Sequence, residues 1–326
     1  MKSHRSRLIT CLVYLASALP FAAHAAAYPE RPITVVVPFA AGGATDAMAR
    51  PLSREASAVL GQTINVDNRS GAAGAIGALA VVRAKPDGYT VCFCGGGPLV
   101  LLKLLDDKLA YDPARDLVPV TLTHMVDFVV GVAPNSPIRS MRDLVAAAKA
   151  SPGTLTYAST GLGGPAHLGQ EYFDQLAGIE ITHVPYKGES QFVTDLATGR
   201  LSIGLFSAQL ADQMARGGQT RLIGSWSAQR LKLLPGVPTV AEQGFPGFSA
   251  STFVGVTVPR GTARDIVDTL NAAFVKAVRH PDVAAKMTGM GFTPVGNSPQ
   301  EFADFLRREE AKWSKVVERL GPRARE

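Results

Sequence analysis

Cysteine is scarce: the 326 residues hold three. That excludes a disulfide-dense secreted scaffold. Charged residues make up 18% and hydrophobic residues 46%, a balance that excludes a largely disordered chain. No second apolar stretch of about 18 residues follows the one at the N-terminus, which excludes a multi-span membrane protein. No run of five like charges and no clustered basic face occurs, so nucleic acid is not an expected partner. The motifs H-E-x-x-H and G-x-S-x-G and a Walker loop are missing. No nucleophile, base and orienter assemble from the sequence, which disfavours an exported enzyme. His124, His167, His183 and His280 are not spaced as metal pairs with another His or Cys, so no metal and no cofactor are expected.

What is present begins with a targeting segment. Lys2, Arg5 and Arg7 precede an apolar run from Leu8 to about Phe21, and Ala23-His24-Ala25 follows. A charged region, an apolar region and small residues at a cleavage site predict a signal peptide over residues 1–25. Arg5-Ser6-Arg7 is not a twin-arginine pair, so export is expected to be unfolded. Cleavage removes three positive charges from the formal +6. The mild excess that remains suits an anionic small ligand.

The mature chain alternates short apolar strands with helices. Ile33 to Val37 is β-branched and nearly all apolar, as a strand covered on both faces should be. A glycine turn follows, then a helix that carries Pro51 and ends at Gly61. Further strands are expected at Ile64 to Val66, Val91 to Cys94, Val129 to Val132, Leu155 to Ala158, Ile181 to Val184, Ile203 to Phe206, Leu222 to Ser225 and Thr252 to Val258. Ser140 with Asp143 opens a helix. Thr262 opens another, with Ile266, Leu270, Phe274 and Ala277 on one face and a stop at His280-Pro281. Ser298-Pro299-Gln300-Glu301 reads as a capping box with Pro at the first position. Phe302, Leu306, Trp313, Val317 and Leu320 make the stripe of that last helix. The alternation argues an α/β fold with open, mostly parallel sheets. Cys92 and Cys94 sit two apart in a strand, so both thiols point to one face; they read as small buried core residues.

Four glycine-rich turns join strand ends to helices. They are Pro38 to Asp46, Gly95 to Pro98, Ser159 to Gly164, and Tyr186 to Gly188. In an open α/β sheet such turns lie at the carboxyl edge, where ligands bind. Glycine lets backbone N–H groups approach a ligand, and a helix N-terminus favours an anion. Gly161 to Ala166 also matches G-x-G-x-x-A, but Pro165 falls within it and unfolded export is a poor route for loading a dinucleotide.

These turns resemble a known family. Tyr28-Pro29-Glu30-Arg31-Pro32-Ile33, Pro38 to Asp46, Asn68 to Gly74, Pro86 to Thr90, His183-Val184-Pro185-Tyr186-Lys187-Gly188 and Leu234 to Val240 are similar to the solute receptors of tripartite tricarboxylate transporters, the TctC or Bug proteins. The resemblance covers essentially the whole mature chain. It implies a monomeric, periplasmic, two-domain binding protein of type II-like architecture, with a ligand cleft between the domains. Domain 1 would take 26–126 plus 251–326, and domain 2 would take 127–250. It implies a small carboxylate as ligand and the membrane subunits of a tripartite-type transporter as partner; a sensor kinase is the alternative partner. The ligand-binding residues it implies are Phe39, Ala41, Gly42, Gly43, Thr45, Asp46, Gly95, Gly96, Ser159, Thr160, Gly163, His167, Tyr186 and Ser207. Asp46 is expected to orient its helix. His167 either touches the ligand or sits on the helix surface. Lys187 is expected to be solvated. The chain departs from the family at Ala40 and Ala41, where Pro is common. It departs at the apolar Gly95 to Val100 loop and at Ser207, where Asp is common. Together these predict a carboxylate with an uncharged, partly apolar body in preference to an amino acid.

Overall fold

The computed structural model describes residues 28–159, 161–186 and 189–321. The expected signal peptide, Thr160 and Lys187 fall outside them. The strands run β1 Ile33–Val37, β2 Ile64–Asn68, β3 Thr90–Gly95, β4 Leu117–Val126, β5 Phe128–Val132, β6 Thr156–Ser159, β7 Thr182–Pro185, β8 Ile203–Ser207, β9 Arg221–Ser225, β10 Thr252–Pro259 and β11 Phe292–Pro294. The helices of eight or more residues are α1 Ala44–Leu60, α2 Ala75–Val82, α3 Met141–Ala150, α4 Pro165–Ala177, α5 Glu189–Ala197, α6 Ala208–Arg216, α7 Arg264–Arg279, α8 Pro281–Gly289 and α9 Pro299–Leu320.

Two sheets form, in the orders β11-β4-β10-β3-β1-β2 and β7-β6-β8-β5-β9. The α/β class stands, but parallel pairing covers only part of each sheet. It joins β2, β1 and β3 in one and β7, β6 and β8 in the other. β10 runs against both β3 and β4, β11 runs against β4, and β5 runs against β8 and β9. The reason is the path of the chain. A strand arriving from the other sheet enters at the facing edge and runs away from it. The parallel strands run toward that edge, so the arriving β5 and β10 must oppose their neighbours. The two crossings fall at Asp127, between β4 and β5, and at Ser251, just before β10.

Local chemistry sets the element ends. Gly61 ends α1 in the left-handed conformation, at φ 68°, where a side chain costs about 1–2 kcal/mol. Ser298 and Glu301 form the expected reciprocal capping box. Ser140 caps α3 through Asp143 N. His280-Pro281 does stop α7, but Pro281 also starts α8 as its first residue. Its fixed φ suits a first helical turn as well as it breaks a running one. α7 itself begins at Arg264, two residues after Thr262, whose hydroxyl bonds back to Pro259 O.

The core is continuous between the two halves. Phe302, Trp313 and Val316 of α9 are buried in the same cluster as Phe128, Trp226 and Phe248. Tyr172 of α4 stacks on Phe248 at 5.4 Å and meets Trp313 edge-on at 6.4 Å. Cys92 and Cys94 share a face and are fully buried. Their sulfurs are joined, which replaces the reading of two separate core thiols.

Candidate ligand-binding site

The first glycine turn leaves β1 and opens α1. Ala40 to Ala44 are exposed, and Phe39 and Thr45 are half-buried. Gly42 takes φ 80°. Gly43 caps α1 with no side-chain hydrogen bond, so first-turn amides are left for a ligand. Asp46 is 3% exposed and lies under the turn. Its carboxylate accepts from Gly42 N at 2.9 Å, Arg50 Nε at 3.0 Å and Asn68 Nδ2 at 3.1 Å. Asn68 Nδ2 also donates to Phe39 O. Burial alone would raise the Asp46 carboxyl, but the Arg50, Gly42 and Asn68 hydrogen bonds outweigh it and hold the group below its usual range. Asp46 therefore shapes the turn.

The turn after β2 packs beside it. Ala72 and Ala73 both take positive φ, at 46° and 52°, where non-glycine residues are strained. A side chain on Gly74 would lie 3.2 Å from Pro98 and 3.5 Å from Phe39. Three loops thus interlock at one sheet edge. The run of small residues from Gly71 to Gly74, within the Asn68 to Gly74 resemblance, signals the third in the sequence. Gly95 and Gly96 are buried. A Cβ on Gly95 would lie 3.2 Å from Phe253 O, and one on Gly96 would lie 2.8 Å from Thr252 Oγ1. Close approach of β10 is what requires glycine at both.

Across the cleft, Ser159 ends β6 and is fully buried. Its hydroxyl shares a 2.7 Å hydrogen bond with His183 Nε2 and contacts Gly161 N and O. Gly161 and Gly163 take φ 132° and 67°. Gly163 N donates to His167 Nδ1 at 3.1 Å. The His167 and His183 rings lie 4.4 Å apart, and His183 stacks on Tyr157 at 4.7 Å. Burial, then the His183 ring, pushes His167 down to about 4; burial does the same to His183. Both imidazoles are neutral at pH 7. His167 is 2% exposed, so it is a prop beneath the turn and not a helix-surface residue. Gly164 caps α4 without a side-chain hydrogen bond, with Pro165 at the first position.

The Ser159 to Gly164 turn meets the other half at Leu105. A Cβ on Gly163 would lie 3.1 Å from Leu105 Cδ1 of the opposite half. Each half thus carries one uncapped helix N-terminus at a glycine turn. Each favours an anion by about 0.3–1 kcal/mol, more where partly buried. Among the described residues no group of His, Cys, Asp or Glu is arranged to hold a metal.

Residues 48–321 match the tripartite tricarboxylate transporter family receptor, TctC. The chain belongs to this family. BugT of Bordetella pertussis is 36% identical over 295 residues, 90% of each chain. An R. palustris protein solved with adipate is 35% identical with a TM-score of 0.78, covering 89% of this chain and 97% of that one. MatC from Rhodopseudomonas palustris, solved with bound malate, is 31% identical with a TM-score of 0.75, covering 89% and 100%. The TctC receptor has the two-domain periplasmic binding protein fold. Its family is one of solute receptors, not of enzymes.

Two expected site residues of this TctC receptor are engaged elsewhere. Tyr186 donates its hydroxyl to Asp195 of α5 at 2.8 Å and packs on Phe192. Ser207, at the end of β8, donates from N at 3.1 Å and from Oγ at 2.7 Å to the carboxylate of Glu189, the first residue of α5. This corrects the reading of Ser207 as the loss of an acid. The strand end still carries a carboxylate, supplied by a neighbouring helix. Glu189 was invisible to strand-by-strand reading because it lies 18 residues away in the chain.

Proposed function

We propose that this TctC receptor is exported to the periplasm. There it holds a small carboxylate between its two domains and delivers it to the membrane subunits of a tripartite-type transporter. Domain 1 comprises 26–126 and 251–326, and domain 2 comprises 127–250. The observation that carries the reading is the pair of uncapped helix N-termini at glycine turns, α1 after β1 of one sheet and α4 after β6 of the other. Backbone amides around Ala41, Gly43 and Thr45, and around Ser159 and Gly163, hold the carboxylate between them. Phe39 walls the first turn. Asp46 and His167 hold the turns from beneath. The relatives solved with adipate and malate are consistent with an acid of this size. Gly163→Val tests the reading. Position 163 has positive φ and sits against Leu105, so valine blocks the approach of a ligand at a surface turn. Calorimetry is expected to show no carboxylate binding by a protein that still folds, with stability lowered by about 1–2 kcal/mol from the positive φ. Binding at wild-type affinity sinks the cleft site.

A further inference from the structure

We propose that a cavity between β10 and α9, apart from the glycine turns, binds a small uncharged molecule with an apolar body and one hydrogen-bonding oxygen, such as a phenol or a short alkanol.

The cavity has a volume of about 300 Å³. Alternate residues of β10 point to its two faces. Val254, Val256 and Val258 join the cluster that holds the buried residues of α7. Gly255 and Thr257 point the other way, toward α9. At Gly255 the helix sits directly on the strand, where a Cβ would collide with the Phe302 ring. At Thr257, two residues on, the cavity opens, with Leu306 of the next helical turn on its far side. Leu99, Val100 and Leu117 supply further apolar walls. These walls are fixed. Leu99 and Val100 belong to the helical segment Gly97–Leu101, and the buried Tyr111 donates its hydroxyl to Pro98 O at 2.8 Å. None of the expected carboxylate residues lines the cavity.

Thr257 faces the cavity and is 1% exposed. Its hydroxyl oxygen is buried with no hydrogen-bond partner among the protein's own atoms. Buried threonines on the adjacent strand are satisfied: Thr121 donates to Asn297 O and Thr123 to Val254 O. A buried polar atom left unpaired costs free energy, so Thr257 is a group that a bound molecule satisfies and the fold does not. Water suits the cavity poorly, because it needs about two to four polar partners and these walls are aliphatic. A wholly apolar molecule leaves the hydroxyl unpaired. An apolar body with one oxygen meets both demands. An apolar cavity of about 150 Å³ takes up benzene, so this one has room for a substituted ring or a short chain. The rim carries both signs. Lys103 and Glu310 stand there without an ion pair among the described residues, and Arg307 is paired with Asp304. A charged ligand gains no net preference from such a rim, and its charge is disfavoured between apolar walls.

The test adds 4-methylphenol or toluene, which differ by one hydroxyl, to the full mature protein and follows binding by methyl NMR and calorimetry. 4-Methylphenol is expected to bind about two- to tenfold more tightly than toluene, the worth of one hydrogen bond to a buried partner. It is expected to shift the Val100, Leu117 and Leu306 methyl signals. Thr257→Val keeps the side-chain shape and removes the hydroxyl. It is expected to abolish the preference while toluene still binds, and to raise the unfolding temperature of the free protein, because the unpaired oxygen is gone. Ala303→Trp fills the cavity from α9 and is expected to abolish binding of both probes. Should that variant fail to fold, Thr257→Val decides alone. The proposal is overturned by no binding of 4-methylphenol, by a preference that survives Thr257→Val, by binding retained in a folded Ala303→Trp, or by shifts confined to the glycine turns.

Discussion

Protonating His167 removes the acceptor that holds Gly163 N. The imidazole is held near pKa 4 in the folded protein and sits near 6.5 in an unfolded chain. A depressed folded value means the unfolded state binds the proton first. Its contribution is therefore complete above about pH 6.5 and is lost as pH falls toward 4. Asp174 acts in the opposite sense, because burial pushes it up to about 8 and its contribution shrinks as pH rises. The total stability curve mixes the two, so the difference between variants is the useful quantity. His167→Gln is expected to be less acid-sensitive than wild type by up to about 1.4 kcal/mol per pH unit across that window, read by denaturant unfolding at several pH values. Parallel curves would show that the ring is not desolvated as described. Asp46 is depressed too, so its contribution is present above about pH 3.9 and fades as pH falls through its folded value. Asp46→Asn puts an amide donor against Gly42 N or Arg50 and is expected to cost about 1–3 kcal/mol at pH 7. The deficit should shrink in acid. A constant deficit from pH 7 to 3 would make it steric.

At the scale of elements, the sequence was most readable where one physical rule acts alone. β1 is apolar on both faces and sits between β2 and β3. The Ser298 box closes as its spacing requires. β4 escaped because Pro119, Thr121 and Thr123 interrupt its apolar run. Thr121 and Thr123 are buried, and their hydroxyls bond to Asn297 O and Val254 O, partners that only tertiary structure supplies. β11 is three residues long and borrows its register from β4. In the site, the glycine turns and the orienting Asp46 were legible, and the long-range partners of the turn residues were not. The Ser159–His183 and Ser207–Glu189 pairs join residues 24 and 18 apart in the chain. Helix packing also hides a glycine requirement. A Cβ on Gly169 of α4 would lie 2.6 Å from Trp226 Cζ3 and 3.0 Å from Ala250 Cβ. Gly169→Ala gains helix propensity yet forces the helix off Trp226. Overpacking of this kind costs about 1–3 kcal/mol. A lower denaturant midpoint with unchanged slope is expected, and a rise in midpoint would refute the contact.

At the scale of the whole molecule, two chain crossings lie beside a helix that packs on both halves. Asp127 and Ser251 are the two crossing residues, and the Ser251 hydroxyl donates to the Asp127 carboxylate. Thr293 of β11 donates to its other oxygen at 3.3 Å. Both crossings are thereby tied at one buried carboxyl, which burial pushes upward despite these hydrogen bonds. α9 meanwhile packs on Phe253 of β10 through Phe302 and reaches Tyr172 of α4 through Trp313. On the proposed reading, closure around a ligand is expected to pivot at Asp127 and slide α4 along α9, a combined hinge and shear motion. A ligand that binds only the closed form stabilises it by mass action, by about 2.7 kcal/mol at a hundredfold excess over Kd. Small-angle scattering should show a smaller radius with ligand, alongside a higher unfolding temperature. Trp313→Ala loosens the brace and should lower the unfolding temperature of the free protein while leaving the ligand-induced change in radius intact, because the pivot is elsewhere. Asp127→Ala should alter that change in radius, because it cuts the tie between the crossings. If Trp313→Ala abolishes the change and Asp127→Ala spares it, α9 is the pivot and the two crossings only follow.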